Sequence, residues 1–198
     1  MPADEGSAGP GSHTDRVAFI CTANRARSPF AAALLRRGIG ELPVVVESYG
    51  VLEQAGAPAL PGAVRAAAVF GIDLSQHRAR ALRAGDLGGA QLAIGFEPAH
   101  VAAAVETGGV SADRAFLLAE LADVVELDVL PWPPGSDDLE SRVAHANARR
   151  FAGARLPRAI SDPVGGSDRR FRQTYEEIDR MVAIIGMRLF GASGARTG

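Results

Sequence analysis

Four short apolar runs along the chain predict the strands of an α/β fold. They cover residues 17–20, 43–48, 91–95 and 114–118. Continuous apolar runs of this length are typical of strands that are buried on both faces, as in a parallel sheet. The first two runs are separated by one short helical segment, and this favours parallel neighbours that are joined by a right-handed crossover.

Helical spacing predicts helices between and after these strands. We expect them at residues 30–37, at 62–70, up to about residue 106, and at 121–127, 139–150 and 167–189. Arg78 and Arg80 are expected either to be solvated or to cap a further short helix over residues 79–84. The last helix carries an apolar stripe that predicts a core-facing surface rather than a cofactor site. The stripe consists of Phe171, Tyr175, Ile178, Val182, Ile185 and Leu189.

Composition limits the classes of partner and location. A chain of 198 residues with 47% apolar residues fits one domain with a sizeable core, and its net charge of −2 suggests neither nucleic acid nor a membrane surface as a partner. No stretch approaches the roughly 18 apolar residues that span a bilayer, no secretory signal is visible, and a single cysteine cannot form an internal disulfide. We therefore expect a cytoplasmic monomer. No metal-ligand cluster or nucleotide fingerprint appears, so we expect no metal and no other cofactor.

The domain boundaries follow changes in composition. Residues 1–15 are rich in Gly, Pro, Ser and acidic residues, which predicts a disordered tail. Residues 16–191 form the predicted domain, with an insertion at about 130–159 that begins in a turn-rich linker, and residues 192–198 form a second tail. Trp132 lies in the linker and is expected either to pack it onto the domain or to line a substrate mouth.

The strongest chemical signal is the stretch of residues 21–29, CTANRARSP, between the first strand and the first helix. Five residues between Cys21 and Arg27 suffice to wrap backbone N–H groups around one tetrahedral oxyanion, and the following helix adds its positive end. Arg27 would donate to two oxygens of that anion, and Ser28 could donate its hydroxyl to the sulfur. A lone cysteine is usually only a small buried residue. The Arg-Ser-Pro at this spacing instead indicates a nucleophile that faces a bound phosphate.

These residues resemble the low-molecular-weight protein tyrosine phosphatases, whose signature is a strand, then Cys-x5-Arg-Ser-Pro, then a helix. Asn24, the fourth residue of the loop, also matches. Residues 47–50 are similar to the family's Ser-Ala-Gly segment, residues 73–80 to its His-x-Ala-Arg segment, and residues 160–163 to its late Asp-Pro loop. The similarity extends over roughly residues 16–190 and is weakest between about 97 and 159.

The resemblance implies both a fold and a reaction. We expect a single-domain α/β fold with a four-stranded parallel sheet in the order 2-1-3-4 and helices on both faces, with the site beyond the carboxyl ends of the strands. The implied activity is that of a phosphomonoester hydrolase, and more narrowly of a protein-tyrosine phosphatase, which forms a phosphocysteine intermediate. Its substrate would be a phosphorylated protein or a small phosphomonoester. The implied catalytic residues are Cys21, Arg27 and Asp162, with Asp162 as general acid and then general base.

The resemblance also implies the residues that hold the phosphate and support the loop. The implied phosphate-binding residues are Thr22, Ala23, Asn24, Arg25, Ala26, Arg27 and Ser28. Ser28 would stabilise the thiolate, Ser48 would bond to Asn24, and His77 would be the buried histidine that braces Asn24. The other two histidines after His77, His100 and His145, are expected to be surface residues.

Several positions depart from the family pattern. Val164 and Gly165 stand where the family has tyrosines after its Asp-Pro, and Arg25 stands where it often has an apolar residue. Ala26 replaces a cysteine that many members carry. One alternative is an arsenate reductase on the same fold, although the thioredoxin-linked kind needs two further cysteines and here would depend on an external thiol. Another is a phosphate-binding module without turnover.

Overall fold

The computed structural model describes residues 14–127, 138–150 and 158–191. Within these ranges four strands and six α-helices occur, and a short 3-10 helix, Ala112–Arg114, precedes the fourth strand. The strands are β1 (Asp15–Cys21), β2 (Val44–Gly50), β3 (Leu92–Gly95) and β4 (Ala115–Leu117). The helices are α1 (Arg27–Ile39), α2 (Pro61–Val69), α3 (Pro98–Glu106), α4 (Leu118–Leu127), α5 (Leu139–Arg149) and α6 (Asp168–Phe190).

All four strands are parallel and lie in the order β2-β1-β3-β4, which confirms the predicted fold class and strand order. The last residue of β1, Cys21, lies opposite Gly50, the last residue of β2. Strand β3 is buried throughout and β1 is buried from Val17 onward, since both faces of the sheet are covered there. The carboxyl ends of β1 and β2 therefore meet at the same edge of the sheet.

The core has two parts, one on each face of the sheet. The larger part lies beneath α1, α2, α4, α5 and α6, and the smaller lies beneath α3. All six stripe residues of α6 are buried in the larger part, which confirms the prediction of a core-facing surface. Helix α6 packs against α1 and α4, so it runs across the helices that flank the first and last strands.

The prediction of a short helix at residues 79–84 is wrong, because these residues form no helix. Instead, Gly50 donates its N–H to the Arg80 carbonyl at 2.8 Å, and Leu82 donates to the Gly50 carbonyl at 2.8 Å. An isolated parallel bridge joins Gly50 to Ala81. The segment is extended because its backbone groups pair with the carboxyl end of β2, and this pairing cannot be read from local spacing.

The helix predicted within the insertion is confirmed as α5. Asp138 caps it by accepting a hydrogen bond from the Ser141 N–H at 2.7 Å. Arg142 donates to the carbonyl of Leu189 at 2.6 Å, which ties α5 to the end of α6. The predictions for Trp132 and for most of both tails fall outside the described residues, while Asp15, placed in the first tail, opens β1.

Among the residues that the structure describes, no helix combines the length and the apolar character that a membrane crossing requires.

Candidate active site

The loop that follows β1 is held in place by Asn24. This residue has a φ of 54°, in the left-handed region that few non-glycine residues adopt, and it is fully buried. Its side-chain amide donates to Ser28 Oγ and to Ser48 Oγ, each at 2.9 Å. Its Oδ1 accepts from the Arg80 N–H at 2.8 Å, and its carbonyl lies 2.7 Å from His77 Nε2. The structure thus brings together the supporting residues predicted from the sequence.

Gly50 lets β2 approach this loop closely. A Cβ at Gly50 would lie 2.6 Å from the carbonyl carbon of Ala23 and 2.7 Å from the Asn24 nitrogen. Contacts this short with backbone atoms cannot be relieved by a side-chain rotation. Glycine is therefore required for β2 and the loop to lie in their observed positions.

The sulfur of Cys21 lies at the bottom of the loop. It is 3.0 Å from Ser28 Oγ, and the residue is 3% exposed. The Ser28 hydroxyl also lies 3.2 Å from the Tyr49 carbonyl, to which it can donate. Asn24 already donates to Ser28 Oγ. The single proton of the Ser28 hydroxyl can therefore point either to the Tyr49 carbonyl or to a Cys21 thiolate. Ser28 can thus donate a hydrogen bond to the sulfur when it is ionised, by rotation of the hydroxyl proton alone.

Arg27 is the most deeply buried charge of the site, with 1% of its residue surface exposed. Its Nη2 donates to Asp162 Oδ2 at 2.7 Å and to Thr22 Oγ1 at 2.9 Å. Its Nη1 donates to the Ile160 carbonyl at 2.8 Å and also to the carboxylate of Glu97. A buried guanidinium needs such partners because its desolvation is costly. Glu97 is not among the site residues predicted from the sequence, although an acidic residue just beyond the carboxyl end of β3 was a usable signal.

The expectation that His100 lies on the surface is wrong, because the residue is 2% exposed. The N–H groups of Phe96 and Glu97 both point at its Nδ1, at 3.3 and 3.1 Å. Nδ1 is therefore the acceptor, and Nε2 carries the proton that it donates to Thr22 Oγ1 at 3.2 Å. Burial, and next the nearby Arg27, lower the pKa of His100 to about 4.

Helix α3 can cover the site closely because β3 ends in a glycine. A Cβ at Gly95 would lie 2.9 Å from the Cβ of His100 and 2.9 Å from Val101 Cγ2. This contact depends on how α3 packs over the loop, so the local sequence around His100 does not reveal it.

Asp162 reaches the site from the segment that leads into α6. Its Oδ1 accepts from the Val164 N–H at 3.1 Å, and its Oδ2 accepts from Arg27 and, at 3.4 Å, from the Thr22 hydroxyl. About one third of its side chain is exposed, so solvent can exchange protons with it. The hydroxyl of Tyr175, on α6, donates to the Ala26 carbonyl at 2.9 Å, which joins this helix directly to the loop.

A pocket of about 170 Å³ opens above the sulfur. Residues of the loop line it, including Cys21, Arg25 and Arg27, and Asp162 lies on its wall. The remaining lining residues are Leu52, Gln54, Leu60 and Val164. Within the described part of the chain, none of the lining side chains is aromatic, which agrees with the departures noted in the sequence. The pocket thus offers a thiol, a carboxylate and two guanidinium groups to one ligand.

Comparisons with known proteins agree with this geometry. A family model described as "Low molecular weight phosphotyrosine protein phosphatase" matches residues 16–141. A 66-residue segment is 42% identical to a probable low molecular weight protein-tyrosine-phosphatase, EpsP, of Ralstonia solanacearum. That segment is 33% of this chain and 44% of the relative, so the chain spans less than half the length of the curated relatives it matches.

Solved structures share the whole fold. A low molecular weight protein tyrosine phosphatase from T. tengcongensis is 26% identical, with a TM-score of 0.61, and the alignment covers 86% of this chain and 97% of that one. A mutant of the YwlE arginine phosphatase with a phosphorylated active-site serine is 25% identical, with a TM-score of 0.64 and coverage of 88% and 95%. A Bacillus subtilis low molecular weight protein tyrosine phosphatase, solved in solution, is also 25% identical, with a TM-score of 0.64 and coverage of 88% and 96%.

Proposed function

The chain belongs to the low molecular weight phosphotyrosine protein phosphatase family, and on that premise we propose that it hydrolyses phosphomonoesters through a phosphocysteine on Cys21. Protein phosphotyrosine is the first substrate class to consider. The observation that carries the proposal is that Cys21, Arg27 and Asp162 line one pocket above the loop. The cytoplasmic location and the monomeric state stay predictions.

In the first step the substrate phosphate enters the loop, where backbone N–H groups and Arg27 would hold its oxygens. The Cys21 thiolate forms a bond to phosphorus while the bond between phosphorus and the leaving oxygen breaks. Asp162 donates its proton to that leaving oxygen. Ser28, 3.0 Å from the sulfur, would turn its hydroxyl proton toward the thiolate.

In the second step water replaces the thiolate. The water oxygen bonds to phosphorus, the bond between sulfur and phosphorus breaks, and Asp162 takes the proton that the water loses. Inorganic phosphate and the starting thiolate result. One carboxyl group thus acts in both directions, and its partly exposed position lets solvent supply or remove protons between turnovers.

Thr22 has a positioning role in this scheme. Its hydroxyl accepts from His100 Nε2 and Arg27 Nη2, so its own proton points toward Asp162 Oδ2, 3.4 Å away. The neutral His100 fixes this direction, because its Nδ1 is occupied as an acceptor by two backbone N–H groups. The Oδ2 atom of Asp162 is therefore held by one charged donor and one neutral donor.

Phosphoarginine in proteins is a second substrate class, favoured by two observations. The pocket walls at Leu52, Leu60 and Val164 are aliphatic, and a structure with the same fold is named an arginine phosphatase. Against it, the guanidino group of such a substrate would enter beside the Arg25 cation. We therefore place phosphotyrosine first.

The test is hydrolysis of p-nitrophenyl phosphate by the parent, Cys21→Ser and Asp162→Asn. We expect no turnover with Cys21→Ser and a loss of about 10²- to 10⁴-fold in kcat with Asp162→Asn. Parallel assays with phosphotyrosine and phosphoarginine peptides rank the substrate classes. Turnover by Cys21→Ser at the parental rate would rule out the phosphocysteine, and a parent without any turnover would favour a phosphate-binding module.

A further inference from the structure

We propose that Arg25 makes this site selective for phosphopeptides that carry a second negative charge next to the phosphorylated residue. The inference rests on the proposed function and names its substrate class. The observation that carries it is the presence of a second guanidinium on the pocket wall that has only neutral hydrogen-bond partners.

The partners of Arg25 distinguish it from Arg27. Arg25 Nε donates to the Pro58 carbonyl at 2.8 Å, and its Nη1 donates to Gln54 Oε1 at 3.2 Å. Both acceptors are uncharged. Among the described residues Arg25 forms no ion pair, whereas Arg27 is paired with two carboxylates. The unit charge of Arg25 is therefore not compensated locally and is available to a ligand.

The guanidinium of Arg25 is also fixed in position. Two of its nitrogens bond to residues of the 54–58 segment, and its own carbonyl accepts from the Leu60 N–H at 2.9 Å. Gln54 and Leu60 themselves line the pocket. A charge that is already ordered loses little side-chain freedom when a ligand binds, so more of the electrostatic attraction contributes to affinity. For its Nη2 the described residues offer no acceptor within hydrogen-bonding distance, and this nitrogen can donate to a carboxylate.

The shape of the pocket gives this charge a role in recognition. Among the described residues that line the walls, none has an aromatic side chain that would stack on a phenyl ring, so their contacts with the ring give little discrimination. The phosphate itself would be held by the loop N–H groups and Arg27. The Arg25 guanidinium can bind a second anion on the substrate. This contact can discriminate between peptides that have the same phosphorylated residue.

Charges outside the pocket favour a peptide over a small molecule. Arg169, Arg170 and Arg172 are exposed in the first turns of α6, directly after the loop that carries Asp162 and Val164. A Cβ at Gly166 would lie 2.5 Å from the Cδ of Arg170, so this side chain lies against that loop. Cations near the N-terminal end of a helix oppose the helix dipole, although the charge of Arg172 also interacts with the Asp168 carboxylate. They extend the positive surface beyond the pocket, where the flanking residues of a bound peptide would lie.

The test uses two phosphotyrosine peptides of equal length, one with Asp on both sides of the phosphotyrosine and one with Asn. The quantity measured is the ratio of their kcat/KM values. For the parent we expect the acidic peptide to be favoured by about fivefold, the upper range for a partly exposed charge pair. This ratio should fall toward one as ionic strength rises from about 0.01 to 1 M, because salt screens the attraction.

Two variants and a matched control assign the effect to the charge. Arg25→Ile should bring the ratio to about one, and Arg25→Lys should keep most of it. Arg37→Ile is the control, since Arg37 is also an arginine that donates to a neutral carbonyl, that of Phe70, but lies at the far end of α1. It should keep the parental ratio.

Three results would overturn the inference: an equal ratio in the parent and Arg25→Ile, a parental ratio of one, or a preference that salt does not alter. Each of these requires turnover of the Asn peptide by the parent. If the parent instead hydrolyses neither peptide nor p-nitrophenyl phosphate, the proposed function itself fails. The two failures are thus distinguishable within one set of assays. The last assay compares phenyl phosphate with a phenyl phosphate that carries a carboxylate on its ring. If only the small molecules show a preference for the extra negative charge, Arg25 selects small-molecule substrates and the assignment to peptides is overturned.

Discussion

The guanidinium of Arg27 and the carboxylate of Asp162 are joined at 2.7 Å between Nη2 and Oδ2. In the proposed reaction these two groups act on different atoms, the first on the phosphate oxygens and the second on the leaving oxygen. In the structure they bind each other. A phosphate that enters the loop therefore competes with Asp162 for Arg27, and its arrival frees the carboxyl group to take a proton.

This pairing predicts that Asp162 weakens anion binding. We expect Asp162→Asn to bind inorganic phosphate about tenfold more tightly than the parent, because one negative charge beside the anion site is removed. Its kcat should fall at the same time, since the proton donor is lost. Isothermal titration with phosphate and steady-state kinetics with p-nitrophenyl phosphate measure the two effects. Weaker phosphate binding by Asp162→Asn would contradict the competition between Asp162 and the anion.

Burial of His100 predicts how stability depends on pH. Its pKa in the folded protein, about 4, lies below the ordinary value of 6.5. Between these values the unfolded chain binds a proton that the folded chain does not, so stability is fully present above pH 6.5 and falls as the pH decreases toward 4. The contribution of His100 is at most about 1.4 kcal/mol per pH unit in that range.

The measurement is urea unfolding of the parent and His100→Asn at several values between pH 4.5 and 7.5. We expect the variant to be less stable at pH 7.5 and to lose less stability on acidification. His77→Asn is a useful comparison, because burial also lowers the pKa of His77 and the sign of its contribution is the same. Identical slopes in the parent and His100→Asn would show that His100 is not the group that titrates.

Two substitutions separate the effect of the Asn24 backbone conformation from the effect of its side-chain hydrogen bonds. Asn24→Ala and Asn24→Gly both remove the bonds to Ser28, Ser48 and the Arg80 N–H. Only alanine is also strained at a φ of 54°, at a cost of about 1 kcal/mol. We expect both variants to lose activity and Asn24→Gly to be the more stable by that amount. Thermal unfolding with a parallel activity assay checks this, and equal stabilities would mean that the loop relaxes to another conformation.

Gly50 and Gly38 form a matched pair for the same substitution. Gly50→Ala places a Cβ 2.6 Å from the Ala23 carbonyl carbon, whereas a Cβ at Gly38, within α1, meets nothing within 4 Å. We expect Gly50→Ala to displace the loop and reduce kcat/KM at least tenfold. Gly38→Ala should leave activity unchanged and stabilise the protein by about 0.5–1 kcal/mol. Parental activity in Gly50→Ala would show that the loop tolerates a shift of β2.

Much of the fold could be predicted because β3, β4 and most of β1 are buried on both faces and appear in the sequence as apolar runs. The order of the strands and the stripe on α6 follow from the same patterning and from the resemblance. The part of the site between Cys21 and Arg27 could be predicted, because these residues are close in the sequence and their spacing limits how the loop can fold. The roles of the predicted residues stay proposals that the variants above test.

The remaining features depend on contacts between distant segments. His100 is predicted to be a surface residue because it lies in the first turn of its helix, and it is buried because α3 packs closely against Gly95. The position of Glu97 just beyond β3 is a local signal for a site residue, but it does not identify Arg27, seventy positions earlier, as the partner. Residues 79–84 carry helix-forming residues, yet their backbone pairs with Gly50. In each case the partner is fixed by tertiary packing, which single-sequence patterns do not encode.

The hydrogen bond from Tyr175 to the Ala26 carbonyl has a consequence for protein synthesis. Tyr175 is buried on α6 and its ring stacks on Phe30 of α1, with ring centroids 3.9 Å apart. The loop that follows Cys21 is thus joined to the helix that is translated last among the described elements, and Asp162 is translated only shortly before that helix. A nascent chain that ends before residue 162 would carry Cys21 without the Asp162 carboxylate and without this brace, so the proposed reaction requires that translation has passed both Asp162 and Tyr175.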